Sequence, residues 1–151
     1  MSRRIALSVA AGVVALGGAG AFALAYAGEP QQPTLAHSTA RYVAPDGDRD
    51  GSLTFTTDVT AAGGVKRVNV LAWPADSSLS DTHLTEKDMA SVEKAVCEPS
   101  GADTAHCTYR VAFTREDADE APRGLWHAAV LATAADGTTT LETEAADFTI
   151  G

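Results

Sequence analysis

The chain has 151 residues, 45% of them hydrophobic and 6% aromatic, with a formal net charge of −9. That length holds one domain plus a targeting segment. The acidic balance argues against nucleic acid and anionic membrane surfaces as partners, because both are bound through Lys and Arg.

The N-terminus reads as an export signal. Arg3 and Arg4 form a short positive region, residues 5–26 are apolar or small, and Ala25-Tyr26-Ala27 is an A-x-A cleavage signature. Residues 1–27 are therefore expected to be a signal peptide. The same run is long enough to span a bilayer uncleaved, and in either case the positive end stays inside and the domain faces outward. Ser2-Arg3-Arg4-Ile5-Ala6-Leu7 also resembles a twin-arginine signal, so the export route stays open. No cysteine precedes Cys97, which leaves no acylation site after the signal. Removing 27 of 151 residues leaves 124, and losing two arginines takes the charge from −9 to −11. A domain of this size buries about two-thirds of its unfolded surface and folds on its own core. The expected location is secreted, with no membrane association beyond the signal.

Residues 28–34 read as a Pro/Gln-containing tether, followed by the domain at 35–151. The domain shows short runs of β-formers separated by turn residues, the pattern of an all-β sandwich. The first strand is expected at 35–43 and the second at 52–60, where Leu53, Phe55, Thr57 and Val59 share a face. Residues 61–64 (AAGG) turn the chain into a third strand at 65–73. In the less regular stretch that follows, Thr85 and Asp88 make a capping box for a helical turn. A fourth strand is expected at 92–97 and a fifth at 107–113. Thr114 and Asp117 form a second capping box, before a sixth strand at 125–134 that carries Trp126, Ala128, Val130 and Ala132 on one face. Asp136-Gly137 is a hairpin signal, and the seventh strand runs over 140–150. Seven strands at these spacings predict an immunoglobulin-like β-sandwich. One sheet would hold strands one, two, five and four, the other strands three, six and seven.

Cys97 and Cys107 are the only cysteines, and in an oxidising compartment they are expected to form one disulfide. It would join the neighbouring fourth and fifth strands and contribute roughly 3 kcal/mol through loop closure. Redox or metal chemistry would call for C-x-x-C spacing or suitably arranged histidines, and neither is present.

A resemblance supports the same layout. Residues 51–59 (GSLTFTTDV), 68–74 (VNVLAWP), the Cys97/Cys107-Thr108-Tyr109 pair, and Gly124-Leu125-Trp126 with 131–134 (LATA) look like a family of small secreted actinobacterial (Streptomyces-type) proteins. That family is catalogued as a domain of unknown function. The resemblance spans nearly the whole chain and implies fold and location, but no activity or site.

Catalytic constellations are not legible. His37, His83, His106 and His127 are scattered, none within a nucleophile elbow, and each reads as a solvated or edge histidine. No close ligand pair suggests zinc, and no glycine-rich loop has phosphate-binding spacing. Trp73, Trp126, Tyr109 and Phe113 fall at strand spacing and read as core aromatics rather than a carbohydrate platform. No enzyme activity and no cofactor are expected.

One motif has metal character. In Pro45-Asp46-Gly47-Asp48-Arg49-Asp50-Gly51-Ser52-Leu53, Asp46, Asp48 and Asp50 stand at the first, third and fifth positions of an EF-hand loop, with Gly51 at the sixth. Position twelve requires a bidentate glutamate and holds Thr57, so only half a site is present. Weak calcium binding would need oxygens from another loop, such as the acidic stretch 116–120; otherwise the segment is an acidic turn. The expectation is a non-enzymatic binding or structural module with an unknown extracellular protein or cell-wall partner. Two alternatives stand beside it: an inhibitor of secreted enzymes acting through the disulfide-tethered loop 97–107, and a weak calcium-binding adhesion module.

Overall fold

The computed structural model describes residues 31–151. The expected signal peptide and the start of the tether lie outside the described residues. Seven strands, β1 (Thr34–Val43), β2 (Gly51–Thr60), β3 (Val65–Pro74), β4 (Val96–Pro99), β5 (Thr104–Phe113), β6 (Gly124–Ala134) and β7 (Thr139–Ile150), form two antiparallel sheets. Their orders are β1-β2-β5-β4 and β3-β6-β7, the arrangement read from the sequence and that of an immunoglobulin constant-type sandwich.

Local sequence explains most of this. In β2 every second side chain, Leu53, Phe55, Thr57 and Val59, is buried, while Ser52, Thr54, Thr56 and Asp58 are half-exposed. That is the period-two pattern of a strand with one face in a core. The inner core joins Phe55, Val59 and Cys107 of one sheet to Val68, Val70, Ala128, Val130 and Ala132 of the other. A second inner cluster packs Leu53, Phe148 and Ile150 against Tyr42, Phe113 and Trp126. There the Trp126 Nε1–H donates to the Pro122 carbonyl at 2.8 Å, satisfying the polar end of the ring.

Both capping boxes form. Thr85 and Thr114 precede α1 (Glu86–Met89) and α2 (Arg115–Glu120), accepting from the backbone N–H of Asp88 and Asp117. In return the two carboxylates accept from the threonine hydroxyls and N–H groups, which holds both carboxyls below their usual range.

Two expectations need correction. The fourth strand is expected at 92–97, but β4 spans Val96–Pro99. Residues 93–95 run against β3 instead: Val70 N–H donates to the Glu93 carbonyl at 3.0 Å and Ala95 N–H to the Val68 carbonyl at 2.9 Å. The chain crosses from one sheet to the other inside a single extended segment, as corner strands do. Which sheet accepts the hydrogen bonds is a long-range choice that local β-propensity does not encode. The second correction concerns the tether. Pro33 is buried, its carbonyl accepts from the Thr140 hydroxyl, and β1 begins at Thr34, so the domain starts inside the stretch 28–34.

The outer face of the three-stranded sheet is also buried. Trp73, Met89, Ala129 and Leu131 form a further core with Leu79, Leu84 and Val92. The connection between β3 and β4, including α1, therefore lies over that sheet as a cover. The outer face of the four-stranded sheet has no such cover among the described residues.

Candidate functional site

The uncovered sheet presents side chains in rows across the strands, set by the pairing register. One row is Thr39–Thr56–Thr108–Val96, and the next is Arg41–Thr54–Arg110. The Thr39 and Thr56 hydroxyls are 2.9 Å apart and hydrogen-bonded. A third row carries Asp58, His106 and Glu98, with His37 alongside Asp58 at a β-bulge between Ala36 and Thr39. At this bulge His37 takes φ 54°, a left-handed conformation that His tolerates better than bulkier or branched residues.

Asp58 joins the two imidazoles. His106 Nδ1–H donates to Asp58 Oδ1 at 2.7 Å, and His37 Nδ1–H donates to Oδ2 at 3.0 Å. The hydrogen bond from His106, then that from His37, holds the Asp58 carboxyl below the usual carboxylate range. The sequence reading treats the four histidines as scattered. Two of them meet at one carboxylate because β1, β2 and β5 are neighbours, a pairing that no local pattern around His37 or His106 signals.

His127 lies on the covered side. Its Nδ1–H donates to Asp147 Oδ1 at 2.7 Å, and its ring centroid is 4.7 Å from that of Trp73. It faces away from the Trp126 side of its sheet, as the alternation of β6 implies. His37, His106 and His127 thus each hydrogen-bond to an aspartate carboxylate. The phenol of Tyr109 donates to Glu93 Oε2 at 2.6 Å; burial, then the hydrogen bond and charge of Glu93, push its pKa upward.

The half EF-hand resolves into a hairpin turn. Asp46 and Arg49 exchange backbone hydrogen bonds of 3.0 Å in both directions around Gly47-Asp48. Gly47 has φ 59° at the first central position, as in a type II′ turn. Gly51 is fixed by crowding: a Cβ there would run into the Val43 carbonyl oxygen and stand 2.7 Å from Pro45 N. The stretch 115–120 does approach this loop, but it brings a cation of its own. The Arg115 guanidinium donates to the Gly47 carbonyl at 2.9 Å, and Asp117 is turned back to Thr114. Among the described residues no group of three His, Cys, Asp or Glu side chains is placed to hold a metal ion.

Cys97 and Cys107 are directly opposed on β4 and β5 and form a disulfide, with Cα atoms 4.0 Å apart. Its Cys107 end is fully buried in the inner core. Most of the segment 97–107 is strand, and residues 100–103 form the turn between β4 and β5. That turn is tied down at Asp103, whose carbonyl accepts from Ala61 N–H at 2.7 Å and whose carboxylate accepts from Gly63 N–H at 3.2 Å. It makes a small anchored corner rather than a projecting insert.

These features define a disulfide-bonded all-β sandwich with one sheet face covered and the other lined by ordered polar side chains. Residues 35–132 match the model of the Family of unknown function (DUF5707), and the chain belongs to that family. The resemblance to a domain of unknown function is thus confirmed at family level. No curated protein matches the chain.

Proposed function

We propose that the chain is a secreted, non-enzymatic binding module of the actinobacterial type, which engages an extracellular protein or cell-wall partner through the outer face of its four-stranded sheet. The observation that carries this reading is the asymmetry of the sandwich. The β3–β4 connection closes the outer face of one sheet with a core of its own, whereas the outer face of the other stays open and carries hydroxyls, arginines and a histidine–aspartate network. Concave or flat surfaces with placed polar groups on a rigid sheet suit recognition. The disulfide accords with an oxidising compartment. The engagement of three imidazoles with carboxylates, rather than with a hydroxyl or thiol, supports a non-catalytic role.

The test is capture from native culture supernatant and cell walls by the mature chain, alongside Thr56→Trp on the open face and Lys87→Ala on the covered side. The expected result is a partner retained by the wild type and by Lys87→Ala but lost on Thr56→Trp, with all three melting curves alike. Full retention by Thr56→Trp overturns the assignment of the face.

A further inference from the structure

Among the described residues the basic side chains of this acidic chain are not evenly placed. Arg41, Thr54 and Arg110 stand in register on β1, β2 and β5, and all three project from the open face. Arg110 also shares a concavity with Lys94 on the segment entering β4. Two guanidinium groups thus flank Thr54 across three neighbouring strands, roughly 10 Å apart, and Lys94 stands beyond Arg110 at the sheet's edge. None of the three cations makes an ion pair among the described residues, where every ion pair is a histidine with Asp58 or Asp147.

The carboxylates near this line are engaged. Asp58 is held by His37 and His106, two rows further along the sheet, beyond the Thr39–Thr56–Thr108 row. Glu93, beside Lys94, accepts the Tyr109 phenol. Glu98 lies opposite His106, at the far end of the face from Arg41. Hydroxyls fill the space between the cations: Thr39, Ser52, Thr54 and Thr56 line a concavity of about 420 Å³ bounded by Arg41 and Arg110. It adjoins at Arg110 the concavity of about 580 Å³ that reaches Lys94.

We infer that this row is a binding site for a linear polymer bearing phosphate or sulfate groups, lying across the strands from Arg41 to Lys94. This rests on the open face being the binding face. Unpaired guanidinium groups on a net-negative chain are a local complement to oxyanions, and the stripe acts within a Debye length of about 8–10 Å despite the overall charge. A guanidinium fork takes two oxygens of an anion. A sulfate or phosphate monoester presents a third terminal oxygen, toward which the Thr54 hydroxyl between the arginines can donate, whereas a carboxylate would have to share an oxygen already in the fork. The Arg41–Thr54–Arg110 row carries no aromatic side chain, and Tyr109, which lines the concavity at the Lys94 end, has its phenol engaged by Glu93, so the row offers no platform for stacking successive bases.

The test titrates the mature chain with dextran sulfate and long-chain polyphosphate. Neutral dextran, inorganic phosphate, polyglutamate and single-stranded DNA are measured beside them, from 50 to 200 mM salt. Three phosphate or sulfate contacts predict a log–log salt slope of about −2, from roughly 0.7 per contact. Replacing both arginines (Arg41→Ala with Arg110→Ala) is expected to weaken dextran sulfate and polyphosphate at least tenfold and to flatten the slope to about −0.7, from the one remaining contact. Thr54→Val, which keeps the strand, is expected to weaken them severalfold. Unchanged binding by the double variant overturns the inference. So does equal binding of neutral dextran, polyglutamate or single-stranded DNA, or competition by inorganic phosphate as effective, per phosphate, as the polymer. If neither polymer binds while Thr56→Trp still abolishes partner capture, the ligand chemistry falls and the binding face stands.

Discussion

Replacing Met89 with alanine tests the cover on which the choice of face depends. Met89 is 0% exposed although α1 is only four residues long, and it packs with Trp73, Ala129 and Leu131 on the outside of the three-stranded sheet. Met→Ala in a core costs about 2–5 kcal/mol, the lower end applying where the surroundings collapse into the space. A short connection has such freedom, so the expected loss is about 2–3 kcal/mol. In a domain of this size that corresponds to a fall in Tm of roughly 8–12 °C. Urea unfolding of wild type, Met89→Ala and Met89→Leu measures it, with Met89→Leu expected within about 1.5 kcal/mol because the volume is conserved. A Met89→Ala loss under about 0.5 kcal/mol would refute the reasoning. It would mean that the connection does not seal the sheet, and the two outer faces would then be equivalent candidates.

Four further outcomes are expected. The Asp58 carboxyl is depressed in the folded state by His106 and His37, so its contribution is present above the unfolded carboxyl pKa, near 3.9, and is lost as pH falls through the lower folded value. Asp58→Asn should therefore flatten the acid limb of the urea midpoint below about pH 4, and a midpoint profile parallel to wild type would contradict the bridge. Gly51→Ala should destabilise by about 1–3 kcal/mol, the cost of overpacking against the Val43 carbonyl. Millimolar calcium should move neither its melting curve nor those of wild type and Asp48→Ala; a calcium-dependent rise abolished by Asp48→Ala would restore the metal reading of the loop. Reducing the Cys97–Cys107 disulfide, or replacing both residues with serine, should cost about 3 kcal/mol, read as a shift in urea midpoint.

The sheet orders and most strand limits are legible because each strand carries its own period-two pattern and each turn its own residues; β2 shows this plainly, with alternate positions buried throughout. The second core was signalled as well, but less openly. In β6, Ala129, Leu131 and Thr133 are buried along with Ala128, Val130 and Ala132. Apolar residues at both parities mark a strand covered on both faces, so 128–132 (AAVLA) already implied something lying over the sheet. Choosing one face of β6 as the core captured the inner layer and missed the outer one. The convergence of His37 and His106 on Asp58 was illegible for a different reason. It depends on a bulge in β1 that shifts the register between Ala36 and Thr39, and nothing in the local sequence marks a bulge whose outlier is a histidine.

The same distinction explains why PDGDRDG misleads. Asp and Gly at alternate positions satisfy the spacing of a metal loop and the needs of a tight turn equally well, since both call for a carboxylate and a backbone free to take positive φ. What separates them is whether distant oxygens or a distant cation arrive to complete the loop. Here the sandwich places α2 beside the turn, and its first residue is Arg115, whose guanidinium binds the Gly47 carbonyl. A protein cation held there reduces the need for a bound one, because it supplies positive charge to the acidic turn without dehydrating an ion. The cationic row on the open face is the reverse case, since Arg41 and Arg110 make no ion pair among the described residues. Charges already engaged within a fold account for themselves, and those left unengaged on a rigid sheet are the ones that point to a partner.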